Sequence, residues 1–294
     1  MIVDDHRLAH DLAAGAGQLL LDLRDRTGFG DQGALRAAGD RLSHQYITAA
    51  LADARPDDAV LSEEGADDPA RLGADRVWIV DPLDGTREFG EAARTDWAVH
   101  VALWTVLARG GTEPTGATPD PDRPEPPAGA LAQRNKGRLA AGAVALPAQG
   151  RTFSTASPYT PPPGGGDARR HGASRLKLVV SRTRPPEFVR RLAGRIGADL
   201  VPLGSAGAKI MAVVTGAVDA YIHAGGQYEW DSAAPVAVAQ AAGLHASRID
   251  GSTLEYNQPD PSLPDILVCP SRLAGMLLEA IRDAYTADGP VAAR

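Results

Sequence analysis

The spacing of apolar positions changes along the chain, and each change predicts a different element. Between residues 4 and 26, Leu8, Leu12, Ala16, Leu19, Leu20 and Leu23 recur at helical spacing, with Asp4 or Asp5 placed as N-cap. Gly28, Gly30 and Gly33 break that helix. A second helix follows over 40–54, with Leu42, Ile47 and Leu51 on one face and Asp40 where an N-cap would sit. Short apolar runs then predict strands at 59–62, 77–81, 97–104, 139–146 and 151–155, with a short helix at 86–89. The run Val77-Trp78-Ile79-Val80 has no polar alternation, so its strand is buried on both faces. Pro82 cannot donate to a sheet ladder, and this places the end of that strand at Asp81. Beyond residue 174 strands (176–180, 199–203, 218–222, 265–269) alternate with helices (187–196, a helix entered through 204–209, 232–242, 273–284). Such alternation predicts an α/β layer.

Two stretches interrupt these patterns. Residues 109–138 are dense in Gly, Pro, Thr and Asp and read as a long surface insertion. Residues 158–173 are rich in Pro and Gly and read as a linker. The chain therefore divides into an N-terminal α+β half, 1–157, with an antiparallel sheet, and a C-terminal α/β half, 174–294. A length of 294 residues, 44% hydrophobic and 23% charged, suits a globular protein with a large core. The net charge of -7 argues against general affinity for nucleic acid or anionic membrane. The single cysteine, Cys269, excludes a disulfide framework and fits a reducing cytoplasm. It lies in the apolar run Ile266-Leu267-Val268-Cys269 and reads as a small core residue. The N-terminus shows neither a signal-peptide pattern nor a membrane span.

The chemistry is carried by acids at strand tips. Asp81 ends one buried strand and Asp84 lies in the turn after it; Glu63 and Glu64 follow the strand before. Paired acids on a buried strand are costly unless compensated, and a hard divalent cation such as Mg²⁺ is the natural compensation. A solvated turn leading into a helix cap is the plainer alternative. Gly85 and Thr86 open the following short helix, whose first amides would point at an anion. Asp40 and Asp231 each read equally as helix caps or as site carboxylates, and His100 reads as a core histidine. The segment Gly204-Ser205-Ala206-Gly207-Ala208-Lys209 resembles a phosphate-binding loop at a helix start, although neither the P-loop nor the dinucleotide spacing is met. No EF-hand loop, zinc-type histidine pair or Gly-x-Ser-x-Gly elbow is present.

Three segments together carry a resemblance: Leu61-Ser62-Glu63-Glu64-Gly65, Trp78-Ile79-Val80-Asp81-Pro82-Leu83-Asp84-Gly85-Thr86 and Glu229-Trp230-Asp231-Ser232-Ala233-Ala234. In this order and spacing the chain resembles the inositol monophosphatase superfamily of Mg²⁺-dependent, lithium-sensitive phosphatases. Within it the chain looks most like the bacterial CysQ-type 3'(2'),5'-bisphosphate nucleotidases, which act on 3'-phosphoadenosine 5'-phosphate, a by-product of sulfate assimilation. The resemblance implies a layered αβαβα sandwich. It implies that Glu63, Asp81 and the carbonyl of Leu83 hold one Mg²⁺, that Asp81, Asp84 and Asp231 hold a second, and that Glu63 touches a weaker third. Asp40 would pair with the Thr86 hydroxyl and orient the attacking water. Gly85 and Thr86 would present amides to the phosphate, and Ser205, Ala206, Gly207 and Lys209 would line the nucleotide side. Four acids bring roughly four negative charges and a phosphate monoester about two more, which asks for at least two cations. The expected substrate is a small phosphorylated molecule, and a homodimer is usual among relatives. The rival readings are an inositol or fructose bisphosphate phosphatase with the same metals, and a non-catalytic phosphate-ligand sensor.

Overall fold

A computed structural model describes residues 4–107, 136–160 and 175–288. In chain order the elements are α1 (Asp5–Thr27), α2 (Gln32–Ala54), β1 (Ala59–Ser62), a 3-10 turn (Pro69–Gly73), β2 (Arg76–Asp84), α3 (Thr86–Phe89), β3 (Ala98–Val106), β4 (Gly137–Leu146) and β5 (Arg151–Ser154). They continue with β6 (Lys177–Ser181), α4 (Glu187–Ile196), β7 (Asp199–Leu203), α5 (Ala206–Val214), β8 (Ala220–Ala224), α6 (Glu229–Ala241), β9 (Leu244–Ser247), β10 (Asp265–Pro270) and α7 (Ser271–Asp288). Most of the expected insertion at 109–138 lies outside the described residues, but Gly137 and Arg138 already belong to β4. Residues 161–173 of the expected linker also lie outside them.

Strand alternation divides the molecule into five layers. Along β2, Trp78 and Val80 turn towards Leu8, Leu12, Leu20, Ile47 and Leu51 of α1 and α2. Val77 and Ile79 turn the other way, towards Ile210 and Met211 of α5 and Ala233 and Val236 of α6. The second sheet repeats the device. Val179, Tyr221, Ile266 and Val268 face the same α5–α6 layer. Leu178, Ile222, Leu267 and Cys269 face Phe188 and Leu192 of α4 and Leu277 and Ile281 of α7. The order is helices, sheet, helices, sheet, helices, the αβαβα sandwich. A Val, Leu or Phe fully buried in these layers is worth about 1.5–3 kcal/mol.

The first sheet has strand order β1-β2-β3-β4-β5 and the second β7-β6-β8-β10-β9. The first is antiparallel except that β1 runs parallel to β2, with Ser62 opposite Val80. The second is mixed: β7, β6 and β8 are parallel, whereas β10 and the short β9 are antiparallel. Strand β9 has no counterpart in the sequence pattern, since Leu244–Ser247 is short and edge-placed.

Three boundary differences bear on the site. The second helix starts at Gln32, eight positions before Asp40 and with Asp31 as N-cap, so Asp40 sits mid-helix and is not a cap. Gly39 is tolerated there because a Cβ would come within 2.7 Å of Phe89. Strand β2 does not stop at Asp81 but runs on to Asp84 through a register shift, which absorbs the donor missing at Pro82. The Pro82 carbonyl is taken by the Ser43 hydroxyl at 2.6 Å. Helix α6 begins at Glu229, so Asp231 lies in its first turn rather than before it.

Candidate active site

Parallel pairing of β1 with β2 brings their C-terminal ends level. The amide of Glu63, just past β1, donates to Val80 O at 3.3 Å, which sets Glu63 beside Asp81. Alternation puts Asp81 on the face of Val77 and Ile79, towards the central helical layer from which Asp231 projects. The shift after Asp81 turns Asp84 into the same space, where its Oδ2 accepts from Gly207 N at 2.8 Å. Glu63, Asp81, Asp84 and Asp231 thus line one cavity of about 780 Å³.

The acids strain one another. Burial, followed by the charges of Glu63, Asp84 and Asp231, pushes the Asp81 carboxyl well up. Burial raises Glu63 to about 7, against a hydrogen bond with Asp81. Burial and the charge of Asp84 raise Asp231 to about 7. Asp231 also accepts from Tyr228 N at 2.7 Å, a reach-back cap that occupies one oxygen and fixes the carboxylate. Such a set fits a divalent cation: mutually repelling oxygen donors, with Asp81 and Asp84 buried, Asp231 half-buried and Glu63 at the open side, and the nearby ammonium already engaged. That ammonium, Lys209 Nζ, donates to Gly204 O at 2.6 Å.

Beside the acids, the Thr86 hydroxyl donates to Leu83 O at 3.0 Å and lies 3.5 Å from Asp40 Oδ1. Burial and the Glu64 charge raise Asp40 to about 6. Leu83, Gly85, Thr86, Ala206 and Lys209 also line the cavity. Ser205 instead caps α5, its Oγ accepting from Ala208 N at 2.8 Å, and Gly207 packs against His100. A Cβ on Gly207 would lie 2.1 Å from His100 Nε2.

His100 is the residue that sequence reasoning passed over. It is fully buried, but it stands directly across from Asp81 in the β2–β3 ladder. Its Nδ1 lies 3.1 Å from Trp230 O, and its Nε2 lies 3.3 Å from Asp84 Oδ2 without forming a hydrogen bond. Asp81, Asp84 and His100 offer ligand atoms within 4.8 Å of one another. The available signal was the register: an apolar strand carrying a histidine, paired with a strand that ends in acids.

The inositol monophosphatase family matches residues 5–286. The chain belongs to that family. As a member it is a phosphatase, and its acid cluster is a candidate divalent-metal site. A 3'-phosphoadenosine 5'-phosphate phosphatase from Mycobacterium leprae is 48% identical over 281 residues, covering 96% of this chain and 94% of that protein. The 3'(2'),5'-bisphosphate nucleotidase CysQ of Escherichia coli is 26% identical over 264 residues, covering 83% of this chain and 91% of its own. The inositol monophosphatase II structure from Staphylococcus aureus superposes with a TM-score of 0.67 at 19% identity, covering 96% of each chain. That last likeness shows the family fold. Among the described residues no helix is long and apolar enough to cross a membrane.

Proposed function

We propose that this phosphatase removes the 3'-phosphate of 3'-phosphoadenosine 5'-phosphate, giving AMP and phosphate, with Mg²⁺ as its metal. The observation that carries the proposal is the convergence of Glu63, Asp81, Asp84 and Asp231 on one cavity. The 48% identity to the mycobacterial enzyme supports the nucleotide as substrate. A volume of about 780 Å³ is within the range of small-molecule pockets and far exceeds the need of a phosphate alone.

Glu63, Asp81 and the Leu83 carbonyl would hold one Mg²⁺, and Asp81, Asp84 and Asp231 a second, with Glu63 near a weaker third. When bound, these ions supply a water activated near neutral pH and charge stabilisation for the leaving oxygen. Asp40, through Thr86, would orient the attacking water. The amides of Gly85 and Thr86 hold the phosphate oxygens. Ala206 and Lys209 face the rest of the substrate, with Ser205 and Gly207 setting the turn that presents them. The working location is the cytoplasm.

The test is kcat/KM for 3'-phosphoadenosine 5'-phosphate against inositol 1-phosphate, with Mg²⁺ and with EDTA. A preference of about tenfold or more for the nucleotide, equivalent to about 1.4 kcal/mol, is expected, with no turnover in EDTA. Equal or reversed preference would move the assignment to the inositol branch.

A further inference from the structure

A polar cluster centred on buried Arg71 joins the 3-10 turn to the start of α6. Arg71, in the 3-10 turn, is 1% exposed. Its Nε and Nη2 fork onto Asp67 at 2.6 and 2.9 Å. Its Nη1 donates to Asn257 Oδ1 at 2.8 Å and its Nη2 to Gln258 O at 2.9 Å. Asn257 is fully buried at φ 60, and its Nδ2 returns to Arg71 O at 3.3 Å. The amides of Asn257 and Gln258 then donate to the two oxygens of Glu229, at 2.6 and 2.8 Å.

The ends of this chain of bonds fall in the two segments that carry Glu63 and Asp231. Asp67 lies four residues beyond Glu63, and Glu229 lies two residues before Asp231 in the first turn of α6. The bond from Glu63 N to Val80 O sets Glu63 beside Asp81, and His100, across from Asp81, reaches Trp230 O of α6; Glu63's own segment needs a further tie to α6. The Arg71 relay is such a tie. A planar fork that meets a carboxylate, an amide oxygen and a carbonyl together is a role that lysine cannot fill. A non-glycine residue in the left-handed region is uncommon and persists where its surroundings hold it. Here both its side chain and its amide are engaged.

We propose that Arg71, Asn257 and Glu229 form a positioning clasp that sets the spacing of Glu63 and Asp231, and through it the divalent-cation affinity of the cleft. The inference rests on the metal-site reading above.

Asn257→Gly tests it. Glycine accepts the same φ and keeps the amide donated to Glu229, while removing only the side chain that meets Arg71. Titration with Mg²⁺ alone, followed by calorimetry, is expected to show binding weakened about tenfold, the lower range for supporting residues around a metal. KM for the nucleotide at saturating Mg²⁺ should stay at the wild-type value. Arg71→Lys, which retains the charge but not the fork, should weaken Mg²⁺ binding in the same direction. A merely structural role would lower Tm in EDTA and leave Mg²⁺ affinity unchanged, and that result overturns the clasp. Wild-type Mg²⁺ affinity in Arg71→Lys also overturns it. Failure of the wild-type protein to bind Mg²⁺ would instead remove the metal site and the clasp together.

Discussion

The two walls of the cavity are built in opposite ways. The acidic wall is made of strand ends and one helix turn, with Asp81 1% and Asp84 8% exposed. The opposite wall is made of the end of β8 at His223 and the turns around Thr183, Arg184, Gly225 and Gly226. Arg184 is exposed and has no carboxylate partner among the described residues. The first wall is fixed by sheet register and by crowding; the second combines the end of β8 with turns at 183–184 and 225–226. The acids thus sit on regular elements, while part of the remaining lining sits on loops, where recognition residues are commonly placed.

The sharpest way to break this division is Asp81→Asn. Loss of turnover by more than about 100-fold is expected, since even supporting residues around a metal cost 10–100-fold. The fold should survive, because a neutral isostere relieves repulsion from Glu63, Asp84 and Asp231. Circular dichroism and Tm in EDTA, beside the steady-state rate, check both halves of that statement.

A smaller effect separates the walls by pH. Burial raises Glu63 and Asp231 to about 7 and Asp40 to about 6. Each folded-state value lies above that of the unfolded chain, so the stability they lend is complete below about pH 4 and is lost as pH rises towards 7. In EDTA, Tm should thus fall between pH 5 and pH 8. Mg²⁺ needs the ionised acids, so it should restore Tm at pH 8 and do little at pH 5. At 100 times its dissociation constant the gain is about 2.7 kcal/mol, or roughly 5 °C for a chain of this size. A Tm at pH 8 that ignores Mg²⁺ would count against the acidic wall as a cation site.

Arg184→Ala probes the looser wall and should have the mildest consequence. A rise in KM of several-fold for the bisphosphorylated nucleotide is expected, roughly 1 kcal/mol for an exposed charge. Because the acidic wall is untouched, kcat should hold. A matching fall in kcat would mean that the walls are not independent.

The same contrast explains what the sequence made legible. The acids were readable because buried apolar runs ending in carboxylates are rare and costly, and because alternation assigns Asp81 a face. The order of helices and strands was readable for the same periodic reason. Helix α2 starts earlier than its apolar pattern suggests because Gly33 reads as a breaker and Asp40 as a cap; within it, Gly39 is the point where Phe89 and Leu83 approach too closely for a side chain. The continuation of β2 past Pro82 depended on a register shift, which is a property of the paired strand and not of the residue. His100 and the Arg71 relay depend on partners distant in sequence, and no local pattern announces them. The turns at 183–184 and 225–226 have no periodicity, so their place in the cavity emerges only in three dimensions.

The seam at Gly207 has a further consequence. The start of α5 presses on His100 where no side chain fits, and its amide is spent on Asp84. Sheet and helix are welded there rather than hinged. Asp84 is therefore held from the side of the central helices by backbone rather than by a side chain, so its position depends on that close approach more than on any neighbouring side chain.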